Sequence, residues 1–185
     1  TMNHVLALDR WSGEVVWDVV LTPTKTSSHA RADYNDGRVF VTNWANKLTV
    51  LDAATGEAVY SFPGRAEGHV WFWQDRAYFI NVGAGENYRS ATAIIAKNGT
   101  YLWRITNTSN LLTGDEMLFA KERMGNPPTL FANHANGSGS FIWQATFTTN
   151  FDYFYADGAL FTAGANAHVY TPANGTLIWS HSIDT

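Results

Sequence analysis

The segment Ala7-Leu8-Asp9-Arg10-Trp11-Ser12-Gly13-Glu14-Val15-Val16-Trp17 places a glycine four positions ahead of an aromatic residue, and that pairing returns along the chain. Gly56 precedes Tyr60, Gly99 precedes Trp103, Gly139 precedes Trp143 and Gly175 precedes Trp179, all at the same offset. The glycines are separated by 43, 43, 40 and 36 residues. A supersecondary unit of about 40 residues repeated in tandem is the first thing to decide in such a sequence, because it sets the whole architecture.

Each pair reads as a tight hairpin. Turn residues stand immediately before the glycines (Ser12, Thr55, Asn98, Ser138, Asn174), and Asn-Gly is the dipeptide that best tolerates positive φ. Beyond each turn a short apolar strand ends in a large ring: Val15-Val16-Trp17, Ala58-Val59-Tyr60, Leu102-Trp103, Phe141-Ile142-Trp143, Leu177-Ile178-Trp179. These rings are expected to plug the seams between repeats. A second turn lies upstream in each complete repeat, at Asp36-Gly37, Asp75-Arg76, Gly114-Asp115 and Asp157-Gly158, and each leads into another apolar run. Two hairpins per repeat make four antiparallel strands, A to D, and a four-stranded sheet repeated radially is a β-propeller blade.

The expected fold is therefore all-β: about four and a half propeller blades in an incomplete ring. Residues 1–21 supply strands C and D of a half blade, followed by blades over 22–64, 65–107, 108–147 and 148–185. The last blade owns all four of its strands, so the ring is not expected to close by strand exchange, and the chain is expected to be a piece of a larger propeller. No window carries a sustained 3.6-residue apolar period. Thr22-Pro23-Thr24 and Asn126-Pro127-Pro128 read as loops.

Composition agrees and excludes several functions. Eight Trp, eight Tyr and eleven Phe suit short strands packed face to face. Twelve basic against sixteen acidic residues, with no Lys/Arg run, argue against a nucleic-acid partner. No stretch is long and apolar enough for a membrane span. The chain has no cysteine, hence no disulfide, thiolate metal site or cysteine nucleophile.

The first unit fits A-x-D-x-x-[ST]-G-x-x-x-W through Ala7, Asp9, Ser12, Gly13 and Trp17. It resembles the tryptophan-docking motif of the pyrroloquinoline-quinone (PQQ)-like, quinoprotein alcohol dehydrogenase-like propellers. The second repeat is similar through Asp52, Thr55 and Gly56, the third through Ala93, Gly99 and Trp103, and the fifth through Gly175 and Trp179; the fourth departs furthest. The resemblance implies a propeller. It does not single out an activity, since the family holds quinone-dependent alcohol and sugar dehydrogenases and also non-catalytic members such as scaffolds of outer-membrane protein assembly.

The dehydrogenase alternative implies pyrroloquinoline quinone and calcium in the central funnel, a catalytic Asp and, in the methanol-oxidising branch, a pair of adjacent cysteines. The chain has no Cys, and Asp9 and Asp52 belong to the turn pattern. The six His are scattered without metal-ligand spacing. Ser12 and Ser138 sit in turns, and Ser27-Ser28-His29 lacks a strand-elbow-helix setting. No catalytic, cofactor or metal residue is assigned. Four sequons, at Asn98, Asn107, Asn136 and Asn174, are taken as turn chemistry first.

Insertions offer better candidates. From strand B to the hairpin glycine takes 15 residues in the second blade (Val41 to Gly56) and 14 in the last (Phe161 to Gly175), but 20 in the two between (Phe79 to Gly99, Phe119 to Gly139). The extra length falls at 83–90 and 121–128, nominating Asn87, Tyr88, Arg89, Lys121, Glu122, Arg123 and Met124 as loops on one binding face. His29, Arg31, His69 and Trp71, near the start of successive innermost strands, are candidates for the channel mouth. The leading expectation is a non-enzymatic, extracytoplasmic scaffold that binds protein. The alternatives are a quinoprotein dehydrogenase fragment and a polysaccharide-binding propeller.

Overall fold

The computed structural model describes residues 3–21, 30–43, 47–83, 89–136 and 138–183. These residues form β-strands and turns with no helix, in five antiparallel sheets. The first sheet pairs β1 (Asn3–Leu8) with β2 (Val15–Leu21). The second is β3 (Ala30–Asn35), β4 (Arg38–Asn43), β5 (Leu48–Asp52) and β6 (Ala58–Phe62). The third is β7 (Arg65–Trp73), β8 (Arg76–Val82), β9 (Arg89–Ile95) and β10 (Tyr101–Thr106). The fourth is β11 (Thr108–Gly114), β12 (Met117–Glu122), β13 (Thr129–His134) and β14 (Phe141–Thr146). The fifth is β15 (Asp152–Ala156), β16 (Ala159–Ala163), β17 (Asn166–Tyr170) and β18 (Leu177–Ser182).

In every four-stranded sheet the strands pair in chain order. The first strands of successive sheets touch one another in turn, β3 to β7, β7 to β11 and β11 to β15. The sheets therefore fan out from their first strands as propeller blades, and the ring is not closed.

Middle strands are buried on both faces, which is why they read as continuous apolar runs. In β8, Ala77 and Phe79 face the second sheet with Phe40, Leu48 and Val50, while Tyr78, Ile80 and Val82 face the fourth with Leu111, Leu118 and Ala120. A third cluster, around Phe119, Leu130, Trp143 and Leu160, fills the next seam.

The wedges do what their spacing predicts. A Cβ built on Gly56 would lie 2.8 Å from the Trp17 ring, on Gly99 2.6 Å from Tyr60, and on Gly139 and Gly175 2.5 Å from Trp103 and Trp143. Each ring thus lies flat against the hairpin glycine of the next sheet, where no side chain fits. Trp17 Nε1 also donates to Ala53 O at 3.0 Å, Tyr60 Oη to Ala96 O at 2.5 Å and Trp143 Nε1 to Pro172 O at 2.6 Å. Burial pushes the Tyr60 hydroxyl up to about 12, so it stays a donor.

The fourth hairpin differs, as its sequence does. Elsewhere five residues separate the paired backbone groups, as in Asp52 N to Glu57 O at 2.8 Å, but here His134 N reaches Ser140 O at 2.9 Å, one residue further. The carbonyl matching Ala53 and Ala96 is that of Ala135, and it accepts the hydroxyl of buried Tyr78 from β8. Trp103 Nε1 is left with no acceptor among the described residues.

The upstream turns fall one residue from expectation in two sheets. Their positive-φ residues are Gln74 and Asp115, giving turns at Gln74-Asp75 and Asp115-Glu116 rather than at Asp75-Arg76 and Gly114-Asp115. Asp9 Oδ1 accepts the backbone N–H of Trp11 and Ser12, and Asp52 Oδ1 those of Ala54 and Thr55. Asn98 and Asn174 likewise accept from the backbone two residues on, both at 3.0 Å.

Two measurements check these assignments. Gly37 and Gly99 share a positive φ, but only Gly99 is covered by a ring. Gly37→Ala should cost about 1 kcal/mol of backbone strain in urea unfolding, and Gly99→Ala a further ~1–3 kcal/mol from overpacking. The second concerns acid. Backbone donors from Ser12 and Trp11 hold the Asp9 carboxyl below the ordinary range, and those from Ala54 and Thr55 do so for Asp52. Their support is therefore present above the unfolded-state Asp value and lost as pH falls through the lower folded values. An Asp9→Asn/Asp52→Asn variant keeps an acceptor, and its melting temperature should converge on that of the parent as pH falls from about 6 to about 2.

Candidate functional site

Of the residues named for the channel mouth, Arg31, His69 and Trp71 meet on adjacent first strands. Arg31 and Asp33 alternate along β3 and point to the same side. Opposite them β7 is interrupted: its pairing with β8 breaks between Glu67 and Trp71, and Gly68 takes φ +71. This bulge re-aims the next side chain. Buried Thr42 holds it by donating to Gly68 O at 2.7 Å.

His69 is the side chain so placed. Its Nδ1 donates to Asp33 Oδ1 at 2.9 Å, and its Nε2 accepts from Arg31 Nη1 at 3.1 Å. The two contacts fix one tautomer, with the proton on Nδ1. Asp33 Oδ2 accepts the backbone N–H of buried Val70 at 2.7 Å, so the carboxylate is itself anchored. The Trp71 ring lies edge-on to His69 at 6.3 Å.

These groups border a cavity of about 220 Å³ whose wall includes Arg31, Glu67, His69, Trp71, Ser109 and Asn110. Chemically the arrangement is a braced guanidinium beside an indole, with hydroxyl and amide groups across the opening. It can grip a carboxylate or a peptide carbonyl next to an apolar group.

The insertion loops fare differently. Arg89, Lys121 and Glu122 lie on strand ends rather than in loops, because β9 begins at Arg89 and β12 runs to Glu122. Arg89 pairs with Glu67 Oε2 at 2.9 Å. Lys121 Nζ donates to Asn150 Oδ1 at 2.7 Å and to Phe151 O, and stands 4.4 Å from the Phe151 ring centre. Burial lowers its pKa, partly countered by Asp152. Glu122 accepts from Asn107 Nδ2 at 2.8 Å, and Arg123 N donates to Asn107 O at 3.0 Å. Lys121 thus ties the fourth sheet to the segment leading into the fifth, Arg89 braces β9 against β7 within the third sheet, and Glu122 holds the bend between β10 and β11. Met124 is 70 % exposed. His29, Asn87 and Tyr88 lie outside the described residues.

Asp33 and Glu67, which organise Arg31, His69 and Arg89, carry no signal in the repeat. A larger cavity, about 400 Å³, lies at the opposite end of the sheets, lined by the turn residues Asp36, Gln74, Asp75 and Lys97 and by Arg38 at the start of β4. Of these, only Asp36 and Asp75 were marked by the sequence, as turn residues. Among the described residues no three His, Asp or Glu side chains converge as a metal site requires, and no helix is long and apolar enough to cross a membrane.

The anchoring of Asp33 has a measurable consequence. Asp33→Ala strips the buried Val70 N–H of its acceptor and should lower stability by about 1–3 kcal/mol in urea unfolding. Arg31→Ala, at the exposed end of the same chain of bonds, should cost less than about 1 kcal/mol.

Comparison with known proteins bears on family. The family model described as outer membrane protein assembly factor BamB matches residues 1–126. BamB from Moraxella catarrhalis is similar in structure, with a TM-score of 0.66 at 13% identity, over 98% of this chain and 59% of that chain. The quinohemoprotein alcohol dehydrogenase ADHIIG from Pseudomonas putida HK5 gives 0.70 at 17%, over 98% and 39%. A europium-containing methanol dehydrogenase gives 0.68 at 14%, over 98% and 48%. Likeness at such identities shows fold alone, and the chain spans about three fifths of the first structure and less than half of the others. No curated protein matches the chain. With its first 126 residues matched by the family model and its sheets fanned as blades, the chain belongs to the PQQ-like β-propeller family whose model bears the BamB description.

Proposed function

We propose that the chain is a non-catalytic PQQ-like propeller that works outside the cytoplasm by holding segments of other proteins at its channel mouth. The observation that carries this reading is the Asp33–His69–Arg31 chain of hydrogen bonds, which presents a positioned guanidinium beside Trp71 at the edge of an open cavity. A guanidinium held by a neutral imidazole loses little freedom on binding and keeps N–H donors to spare. An indole next to it supplies contact area for an apolar or aromatic neighbour. Together they suit an extended peptide with an acidic residue close to an aromatic one. The family description, an assembly factor of the outer membrane, supports both the protein partner and the compartment.

The dehydrogenase reading draws support from the TM-score of 0.70 to a quinohemoprotein alcohol dehydrogenase. Calcium takes six to eight oxygen ligands, carboxylates among them, and among the described residues no three acidic or His side chains converge.

A phage-displayed peptide library panned on the immobilised chain tests the proposal. Enriched peptides should carry an acidic residue near an aromatic one. Arg31→Ala and Trp71→Ala should each weaken their binding about tenfold or more, and Lys97→Ala, at the other end of the sheets, should leave it unchanged. A library that yields no binder, or binders indifferent to Arg31 and Trp71, would remove the channel mouth as the site. Dye-linked alcohol or sugar oxidation after addition of pyrroloquinoline quinone and calcium would replace the scaffold reading with the dehydrogenase.

A further inference from the structure

Four asparagines stand two residues ahead of a serine or threonine hydroxyl, at Asn98, Asn107, Asn136 and Asn174, and their surroundings divide them into two pairs. Asn98 and Asn174 occupy the same place in the hairpins of the third and fifth sheets, and both are exposed. Each closes an Asx-turn, its Oδ1 accepting the backbone N–H of Thr100 or Thr176 at 3.0 Å. Ser12 and Thr55 do the same work with a hydroxyl, accepting from Glu14 N and Glu57 N at 3.2 Å. In those two hairpins the residue two places on is Glu, so the turn accounts for the asparagine and the glycine but not for the threonine. Thr100 and Thr176 are themselves exposed, and among the described residues neither hydroxyl has a hydrogen-bond partner.

The other pair is committed. Asn107 Nδ2 donates to Glu122 Oε1 at 2.8 Å, Thr108 beside it is buried, and Ser109 Oγ donates to Lys121 O at 3.2 Å. Ser138 Oγ donates to Asn136 Oδ1 at 3.5 Å and lies 3.1 Å from Ser140 Oγ. Position separates the sites as well. Asn98 follows Lys97 at the end of the sheets opposite the channel mouth, whereas Asn107 lies in the bend between β10 and β11, close to Ser109 on the wall of the channel-mouth cavity.

We propose that Asn98 and Asn174 carry N-linked oligosaccharides, added outside the cytoplasm, while Asn107 and Asn136 stay bare. An Asn-x-Ser/Thr acceptor offers an amide nitrogen to the sugar and a hydroxyl to the transferring enzyme, and only the first pair holds both groups free toward water. In the turn, the bond to Oδ1 draws the amide lone pair toward the carbonyl and makes the Nδ2 protons more acidic. Nδ2 attacks the anomeric carbon of an oligosaccharide linked to a polyprenyl phosphate. The C–N bond forms as the C–O bond to phosphate breaks, the lipid phosphate leaves with the electron pair, and the amide gives up one proton. The sugars then cover the hairpin end of the sheets and leave the channel mouth open. Glycosylation shares a compartment with peptide binding at the channel mouth and nothing else, so either can fail alone.

Intact glycopeptides of the protein isolated from its own cells, read by tandem mass spectrometry, provide the test. Peptides containing Asn98 and Asn174 should each exceed their sequence mass by one oligosaccharide, and those containing Asn107 and Asn136 should match theirs. Thr100→Val and Thr176→Val keep the outline of the side chain and the backbone N–H of the turn but lose the hydroxyl. Each should abolish the sugar at its own asparagine and no other, and should leave the melting temperature of the chain made in a non-glycosylating host unchanged. Asn98 or Asn174 bare in the native protein, sugar that persists without the hydroxyl, or sugar on Asn107 or Asn136 would overturn the proposal.

Discussion

A flat ring resting on a backbone turn with no side chain is the contact on which this architecture depends. Antiparallel sheets satisfy their own backbone groups internally, so nothing in the hydrogen-bond ladder binds one sheet to the next. That task falls to side chains at the seams. The ring of Trp17, Tyr60, Trp103 or Trp143 closes so tightly on the turn that a Cβ there would lie 2.5–2.8 Å from it, a contact glycine alone permits. Three of the four rings also satisfy a hairpin carbonyl that would otherwise face the seam. Dispersion over an aromatic face and a directed hydrogen bond thus act at one point, setting both the spacing and the angle of neighbouring sheets.

The cores follow from that placement. Once the outer strands are pinned, the middle strands are buried from both sides, and Ala77-Tyr78-Phe79-Ile80 divides its side chains between two seams. The first strands are left at the centre with one side toward the channel, where Arg31, Asp33 and His69 collect.

Strand count, the glycine hairpins and the wedges were legible in the sequence because each is encoded locally, by a turn residue, a glycine and a ring at fixed offsets, whereas two of the upstream turns, which lack that glycine, fell one residue away. Arg31, His69 and Trp71 were legible as a group because they fall near the starts of successive first strands. What organises them was not. The bulge at Gly68 depends on Thr42 from the neighbouring sheet, and the role of Asp33 depends on a backbone N–H 37 residues away. Lys121 looked like a loop cation because the insertion length could not reveal Asn150 and Phe151 waiting on the adjoining sheet. Non-local partners of this kind leave no periodic trace.

The lengthened fourth hairpin gives the repeats individuality. Its Ala135 carbonyl takes the phenol of Tyr78 instead of an indole, and Tyr78 occupies the position held by Phe40 and Phe119 in the neighbouring sheets, neither of which carries a hydroxyl. The third and fourth blades are consequently keyed to each other. Transplanting either into another slot would strand a buried oxygen or a buried phenol, so the order of modules along this chain is constrained chemically even though their outlines are interchangeable.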